Sequence, residues 1–110
     1  MISINDIDDV CVMKVDAVRL DSAVGTVIRN SIVSRLEKQA KFVVDLSQVK
    51  LVDSGGLGSL VAILKNTASH EAQFGLAAMQ KSVRLMFELS RMDRQFKLYD
   101  DVKTACAAMK

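Results

Sequence analysis

The stretch Leu51-Val52-Asp53-Ser54-Gly55-Gly56-Leu57-Gly58 places a serine at the junction between a strand and a helix. The residues before it, 42–46, read Phe-Val-Val-Asp-Leu and predict a buried strand. After the serine, apolar side chains recur at the i, i+3, i+4 and i+7 spacing of one helix face, at Leu57, Leu60, Val61 and Leu64. Ser54 is therefore predicted to lie near the N-terminus of a helix.

Two interpretations of this serine remain open on spacing alone. Asp and Ser are common N-cap residues and Gly suits tight loops, so Asp53-Ser54-Gly55 can be an ordinary capped helix start. At a helix N-terminus, however, backbone N–H groups lack partners and the helix dipole favours negative charge. A phosphate on Ser54 would therefore be tolerated locally, while it would change the surface charge sharply.

The glycines of this stretch match neither of two common phosphate-binding patterns. No Gly-Lys-Ser/Thr follows Gly58, so the stretch is not a P-loop. The spacing of Gly55, Gly56 and Gly58 does not fit the G-x-G-x-x-G fingerprint of dinucleotide-binding folds. The glycines therefore give no indication of a nucleotide site.

Beyond spacing, the segment 43–47, Val-Val-Asp-Leu-Ser, and the segment 52–58 together resemble the signature of STAS domains, specifically the bacterial anti-sigma factor antagonists. That pattern is a buried strand ending in Asp-Leu, then Asp-Ser-(Ser/Gly/Ala)-Gly-Leu-Gly opening a helix. Residues 83–90 resemble the third helix of the family, and residues 96–100 resemble its last strand. Leu20-Asp21 resembles the pair that precedes the first helix, so the resemblance spans nearly the whole chain.

The resemblance implies an α/β fold: a single STAS-like domain over residues 1–110, with a mixed β-sheet of about five strands and about four α-helices. It also implies a regulatory protein whose unphosphorylated form binds an anti-sigma-type serine protein kinase and releases that kinase's client. Phosphorylation of Ser54 would abolish binding, and a PP2C-type phosphatase would reverse it. The protein would be the substrate and the switch, and we expect no enzymatic activity of its own.

The resemblance assigns partner binding to five adjacent residues. Ser54 is the expected phosphoacceptor, and Asp53 is expected to fix the loop through hydrogen bonds to backbone N–H groups. Gly55 and Gly56 are expected to allow tight backbone conformations and close approach of a partner. Leu57 could contact the partner or be the first core residue of its helix, and its place in the helical stripe favours the core. Gly58 is expected to allow close helix packing.

The chain departs from the family pattern at two positions. Many relatives carry a second serine where Gly55 stands, so phosphorylation here has one local candidate, Ser54, and Ser59, one turn further along, is a weaker site. Lys81 stands where relatives often open the third helix with proline. The alternative function is a constitutive STAS subunit of a larger ATPase of the lipid-transport type, or of a signalling assembly, with Ser54 acting only as a helix cap.

Composition excludes several other classes of function. The 110 residues are 50% apolar and carry a net charge of +2, which suits one globular domain and argues against a nucleic-acid partner. The chain has no apolar run long enough to cross a membrane and no signal-peptide pattern, so we expect a cytoplasmic protein without a membrane partner. A monomer or weak dimer is expected.

No cofactor or metal site is predicted from the titratable residues. Cys11 and Cys106 have no further cysteine or histidine at metal-ligand spacing and are expected to be buried, reduced thiols. The single histidine, His70, is expected on the surface beside Glu71. The acidic run Asp6-Ile7-Asp8-Asp9 lacks the loop length of a calcium site and predicts a solvated turn.

Periodicity and turn residues predict the element order strand, strand, helix, strand, helix, strand, helix, strand, helix, with right-handed crossovers. Ser22 is the expected N-cap of the first helix, and the stripe of that helix includes Val24, Val27, Ile28, Ile32 and Leu36. The expected strands are 2–5, 10–14, 41–46, 74–79 and 96–99, and the expected helices are 22–39, 54–69, 81–90 and a last one from about 102.

Overall fold

The computed structural model describes residues 1–109. Within them the chain forms, in order, β1 (Ile2–Ile7), β2 (Val10–Val15), β3 (Arg19–Leu20), α1 (Ser22–Val33), β4 (Lys41–Asp45), β5 (Leu51–Val52), α2 (Ser54–Ser69), β6 (Gln73–Ala77), α3 (Lys81–Leu89), a 3₁₀ turn (Met92–Arg94), β7 (Lys97–Tyr99) and α4 (Val102–Ala108). Every helix and main-sheet strand expected from the sequence is present.

The main sheet is mixed and has five strands in the order β1-β2-β4-β6-β7. β1 and β2 form an antiparallel hairpin, and the remaining neighbours pair in parallel. The inner strands β4 and β6 are nearly continuous apolar runs because helices cover both faces of the sheet there. The predicted mixed sheet with four α-helices is confirmed.

Helices pack on both faces of the main sheet. On one face, α1, α2 and α3 place buried side chains such as Ile28, Ile63 and Phe87 into one core with β4 and β6. On the other face, α4 covers a smaller cluster through Ala105, Cys106 and Met109. Cys11 and Cys106 are both buried and unpaired, as expected. His70 is exposed beside Glu71, also as expected.

Three predicted boundaries differ from the structure by two residues or more, each for a local reason. β1 continues to Ile7 because the hairpin turn needs only two residues, of which Asp8 has a positive φ of 57°. α1 ends at Val33 and not near residue 39, since the following N–H groups bond three residues back, as in Arg35 to Ile32. β6 ends at Ala77 because Ala78 adopts a positive φ of 62°. Of the predicted α1 stripe, Val27 is exposed.

Two short strands were not predicted from the sequence. β3 and β5 pair in parallel outside the main sheet, with Arg19 beside Leu51 and Leu20 beside Val52. A helix starts two residues after each of these strands, α1 at Ser22 and α2 at Ser54. The pairing therefore sets the N-termini of the two helices side by side.

The packing of α1 on α2 depends on a small residue in α1. A Cβ atom at Gly25 would lie 2.4 Å from the Cβ of Ser59, so the two helices approach too closely for any larger side chain. Gly58 has no such neighbour: a Cβ there would meet nothing within 4 Å. The expectation that Gly58 allows close helix packing was wrong, because the contact is made at Gly25 instead.

These two glycines give a matched pair of substitutions. We expect Gly25→Ala to lower the free energy of unfolding by about 1–3 kcal/mol through overpacking against Ser59. Gly58→Ala should raise it by about 0.5–1 kcal/mol, since alanine favours a helix and the site is open. Urea denaturation followed by circular dichroism measures both, and equal effects of the two substitutions would contradict the packing described above.

Candidate functional site

Two aspartates cap the adjacent helices α1 and α2. Asp21 accepts the backbone N–H of Val24 at 3.0 Å, and Asp53 accepts that of Gly56 at 2.9 Å. Both residues have extended backbone conformations typical of the N-cap position. The prediction that Ser22 is the N-cap of α1 was therefore wrong by one residue, because Asp21 occupies that position.

The Asp53 carboxylate uses both oxygens. Oδ1 accepts the Gly56 N–H, and Oδ2 accepts the Arg19 guanidinium at 3.0 Å. Together with the N–H groups at the helix start, these bonds hold the pKa of Asp53 below its ordinary value, with the Gly56 bond as the largest cause. The backbone bond expected of Asp53 is present, and Arg19 is an additional partner that the sequence did not indicate.

Ser54 is the first residue of α2 and is exposed. The helix is capped by the Asp53 side chain, so capping does not need the serine hydroxyl. Within residues 1–109 the structure records no hydrogen bond to that hydroxyl. The hydroxyl is thus available to a partner while the backbone around it is fixed.

The two glycines after Ser54 permit close contacts with the start of α1. Gly56 is buried, and a Cβ there would lie 2.1 Å from the Leu20 carbonyl oxygen. A Cβ at Gly55 would come within 3.0 Å of the Ser22 Cβ. In the described part of the chain no glycine has a positive φ. Neither glycine is therefore required by a left-handed backbone conformation, and Gly56 is required because a side chain would not fit against Leu20.

Leu57 and Ser59 lie on the inner side of the first turns of α2. Leu57 is half-buried and packs against the main core, which is the role that its place in the stripe favoured. The Ser59 hydroxyl is half-buried and donates to the Gly55 carbonyl at 3.2 Å. Ser59 is therefore a less accessible hydroxyl than Ser54.

Apolar side chains are exposed beside the paired strands. Val18 is 60% exposed and Leu51 is 51% exposed, and the Leu51 N–H donates to the Val18 carbonyl at 3.2 Å. Sequence reasoning missed both residues, since neither belongs to an element long enough to show periodicity. The surface near Ser54 therefore contains exposed apolar side chains as well as charged ones.

Two other features, a metal site and a membrane-spanning helix, are absent from the described residues. No cluster of three or more His, Cys, Asp or Glu side chains is arranged to hold a metal ion in residues 1–109. None of the helices described there combines the length and the apolar character that crossing a membrane requires.

Sequence comparison connects the chain to known proteins. A family model described as STAS domain matches residues 1–105. A candidate anti-sigma factor antagonist from Thermotoga maritima is 37% identical over 60 residues, which are 54% of this chain and 53% of that protein. The match thus spans about half the length of this curated relative.

Structure comparison extends the likeness to the full domain. The crystal structure of a candidate anti-sigma factor antagonist from Thermotoga maritima superposes with a TM-score of 0.84 at 25% identity, over 98% of this chain and 93% of the other. An anti-sigma factor antagonist from Mycobacterium paratuberculosis gives 0.84 at 26% identity, over 99% and 92%. Since the family model covers nearly all of the sequence, this chain belongs to the STAS domain family.

Proposed function

We propose that this STAS domain is a regulatory protein of the anti-sigma factor antagonist type, switched by phosphorylation of Ser54. In its unphosphorylated form it binds a serine protein kinase that also acts as an anti-sigma factor, and so releases the kinase's client. Phosphorylation ends that binding, and a PP2C-type phosphatase restores the free hydroxyl. The names of the similar proteins from Thermotoga maritima and Mycobacterium paratuberculosis support this class of function.

The observation that carries the proposal is the state of the Ser54 hydroxyl. It is exposed at the first residue of α2, while Asp53 does the capping. A kinase can therefore reach the oxygen without unfolding the helix. Because the fold does not depend on the hydroxyl, the modified and unmodified forms can share one backbone structure.

The size of the charge change is sufficient for a switch. A phosphoserine adds about −1.5 to −2 charges at pH 7. Asp53 is already negative beside it, so a partner surface fitted to a neutral hydroxyl would meet two adjacent anions. Each penalty of about 1.4 kcal/mol weakens binding tenfold. Like-charge repulsion and the cost of desolvating a phosphate act together here and reach that amount easily.

We assign the five residues of the proposed binding site different roles. Ser54, Asp53 and Gly55 are accessible enough to contact a partner. Gly56 is buried under the Leu20 carbonyl, so we assign it the positioning of the loop. Leu57, half-buried against the core, contributes its exposed part.

The alternative, a constitutive subunit in which Ser54 serves as a helix cap, receives no support from the geometry. In that alternative the only role of Ser54 is to cap α2. The cap is Asp53, whose carboxylate accepts the Gly56 N–H at 2.9 Å. An exposed hydroxyl that is not needed for capping favours the switch.

A capture experiment from a lysate of the source cells tests the switch. We expect wild type and Ser54→Ala to retain one ATP-binding serine kinase, and Ser54→Asp to bind it about tenfold more weakly or worse. Ser69→Asp is the matched control, because it places the same charge on an exposed serine at the other end of α2. If all four baits retain the same partner, the switch is wrong and the constitutive subunit is favoured.

The captured kinase then identifies the phosphoacceptor. With ATP and Mg²⁺, we expect it to add one phosphoryl group to wild type and to Ser59→Ala, and none to Ser54→Ala. Intact-mass spectrometry measures the number of groups added. Labelling of Ser54→Ala would place the acceptor at another residue.

The role of Asp53 in fixing the loop predicts a pH dependence of stability. Folding lowers the pKa of Asp53, so its ionised form stabilises the fold above the unfolded pKa of about 3.9, and this is lost as the pH falls through the folded pKa. Asp53→Asn keeps a capping oxygen but removes the charge. We expect it to be less stable than wild type at pH 7, by a difference that shrinks in acid.

Urea denaturation at a series of pH values measures this difference. Asp100→Asn is the control, since Asp100 also pairs with an arginine, Arg84, on the surface but caps no helix. We expect its loss of stability at pH 7 to be smaller. If the difference in stability between wild type and Asp53→Asn stays constant from neutral to acid pH, the charge of Asp53 does not hold the loop.

A further inference from the structure

Arg19 is the cation bound to the loop that carries Ser54. It lies on β3 beside Leu51, and its guanidinium reaches across to the Asp53 carboxylate at 3.0 Å. The Arg19 side chain is 59% exposed, so solvent surrounds most of the guanidinium. A side chain that is exposed and makes this one ion pair can change its partner at little cost in packing.

We infer that Arg19 is the counter-ion of phosphorylated Ser54, binding the phosphate in the modified protein where it binds the Asp53 carboxylate in the unmodified one. The inference rests on the proposed phosphorylation of Ser54 and assigns a role to a residue outside the motif that suggested it. Arg19 would act as a positioning residue for the switch, because it holds the phosphate in one place and orientation.

The length of the Arg19 side chain and its number of N–H donors both permit the change of partner. Asp53 and Ser54 are adjacent, with Cα atoms about 3.8 Å apart, so the long, exposed Arg19 side chain has only to move from one residue to the next to change its partner. Arginine has five N–H donors in a planar fork that matches phosphate oxygens in pairs. A phosphate also carries more negative charge than a carboxylate, so it competes for the arginine effectively.

Asp53 does not need Arg19 to keep the helix capped. Its Oδ1 still accepts the Gly56 N–H when Oδ2 is released. The loop backbone can therefore stay in place while the guanidinium moves. Two further charged residues lie on the flanking segments: Asp21, which caps α1, and the exposed Lys50, which precedes β5.

The pairing would make the switch more complete near neutral pH. An unpaired phosphoserine loses its second proton near pH 6, so part of it carries only one charge at slightly acidic pH. A bound guanidinium favours the fully ionised form and lowers this second pKa. The phosphorylated protein would then keep its second negative charge to a lower pH than an unpaired phosphoserine does.

The test uses the full chain with phosphoserine incorporated directly at position 54 during synthesis, so no kinase is needed. Phosphorus-31 NMR follows the ionisation of the phosphate with pH. We expect the second pKa of the phosphate to be higher in Arg19→Gln than in wild type by about 0.5 or more. Arg84→Gln is the matched control, since it removes another exposed arginine paired with an aspartate and should match wild type.

The outcomes separate this inference from the proposed function. Equal phosphate pKa values in wild type and Arg19→Gln would overturn the role of Arg19, whatever the kinase does. A shift equal in Arg19→Gln and Arg84→Gln would also overturn it, by showing a general effect of net charge. If the captured kinase does not phosphorylate Ser54, the proposed function fails, even where the Arg19-dependent shift is present. Circular dichroism checks that each variant keeps its fold.

Discussion

The contact between Gly56 and the Leu20 carbonyl is the constraint on which the arrangement around Ser54 depends. At that approach only a residue without a Cβ fits. The contact lets the first turn of α2 pack against the end of β3, where the two short strands pair and the two helices start side by side. It thereby brings Arg19, from a distant part of the sequence, to the carboxylate of Asp53.

This arrangement separates the residue that supports the helix from the residue that we propose carries the signal. Asp53 satisfies the backbone and anchors the arginine, and Ser54 is left without a structural task. Had the serine been the cap, its phosphorylation would have disturbed the helix start. Because the two roles lie on adjacent residues, the surface charge can change while the frame beneath it does not. Under the proposed function, regulation would act through an interface and would require no change of fold.

Sequence periodicity was sufficient for the elements that bury one regular face. The spacing of apolar residues from Leu57 onwards located α2 and the place of Ser54 at its start. It could not reveal β3 and β5, since strands of two residues have no period. For the same reason the sequence could not predict Arg19 as the partner of Asp53, because only the pairing of β3 with β5 brings the two residues together. The close contact at Gly25, and the open space at Gly58, likewise depend on how two helices meet.

The burial of both native thiols has a practical consequence. Cys11 and Cys106 are buried, and desolvation raises the pKa of each, so both react slowly with alkylating reagents. Gly58 is exposed, has open space around its Cα atom and lies one helical turn from Ser54, on the same side of α2. A Gly58→Cys substitution would thus offer one accessible thiol for a fluorescent label beside the proposed interface, with neither native cysteine replaced.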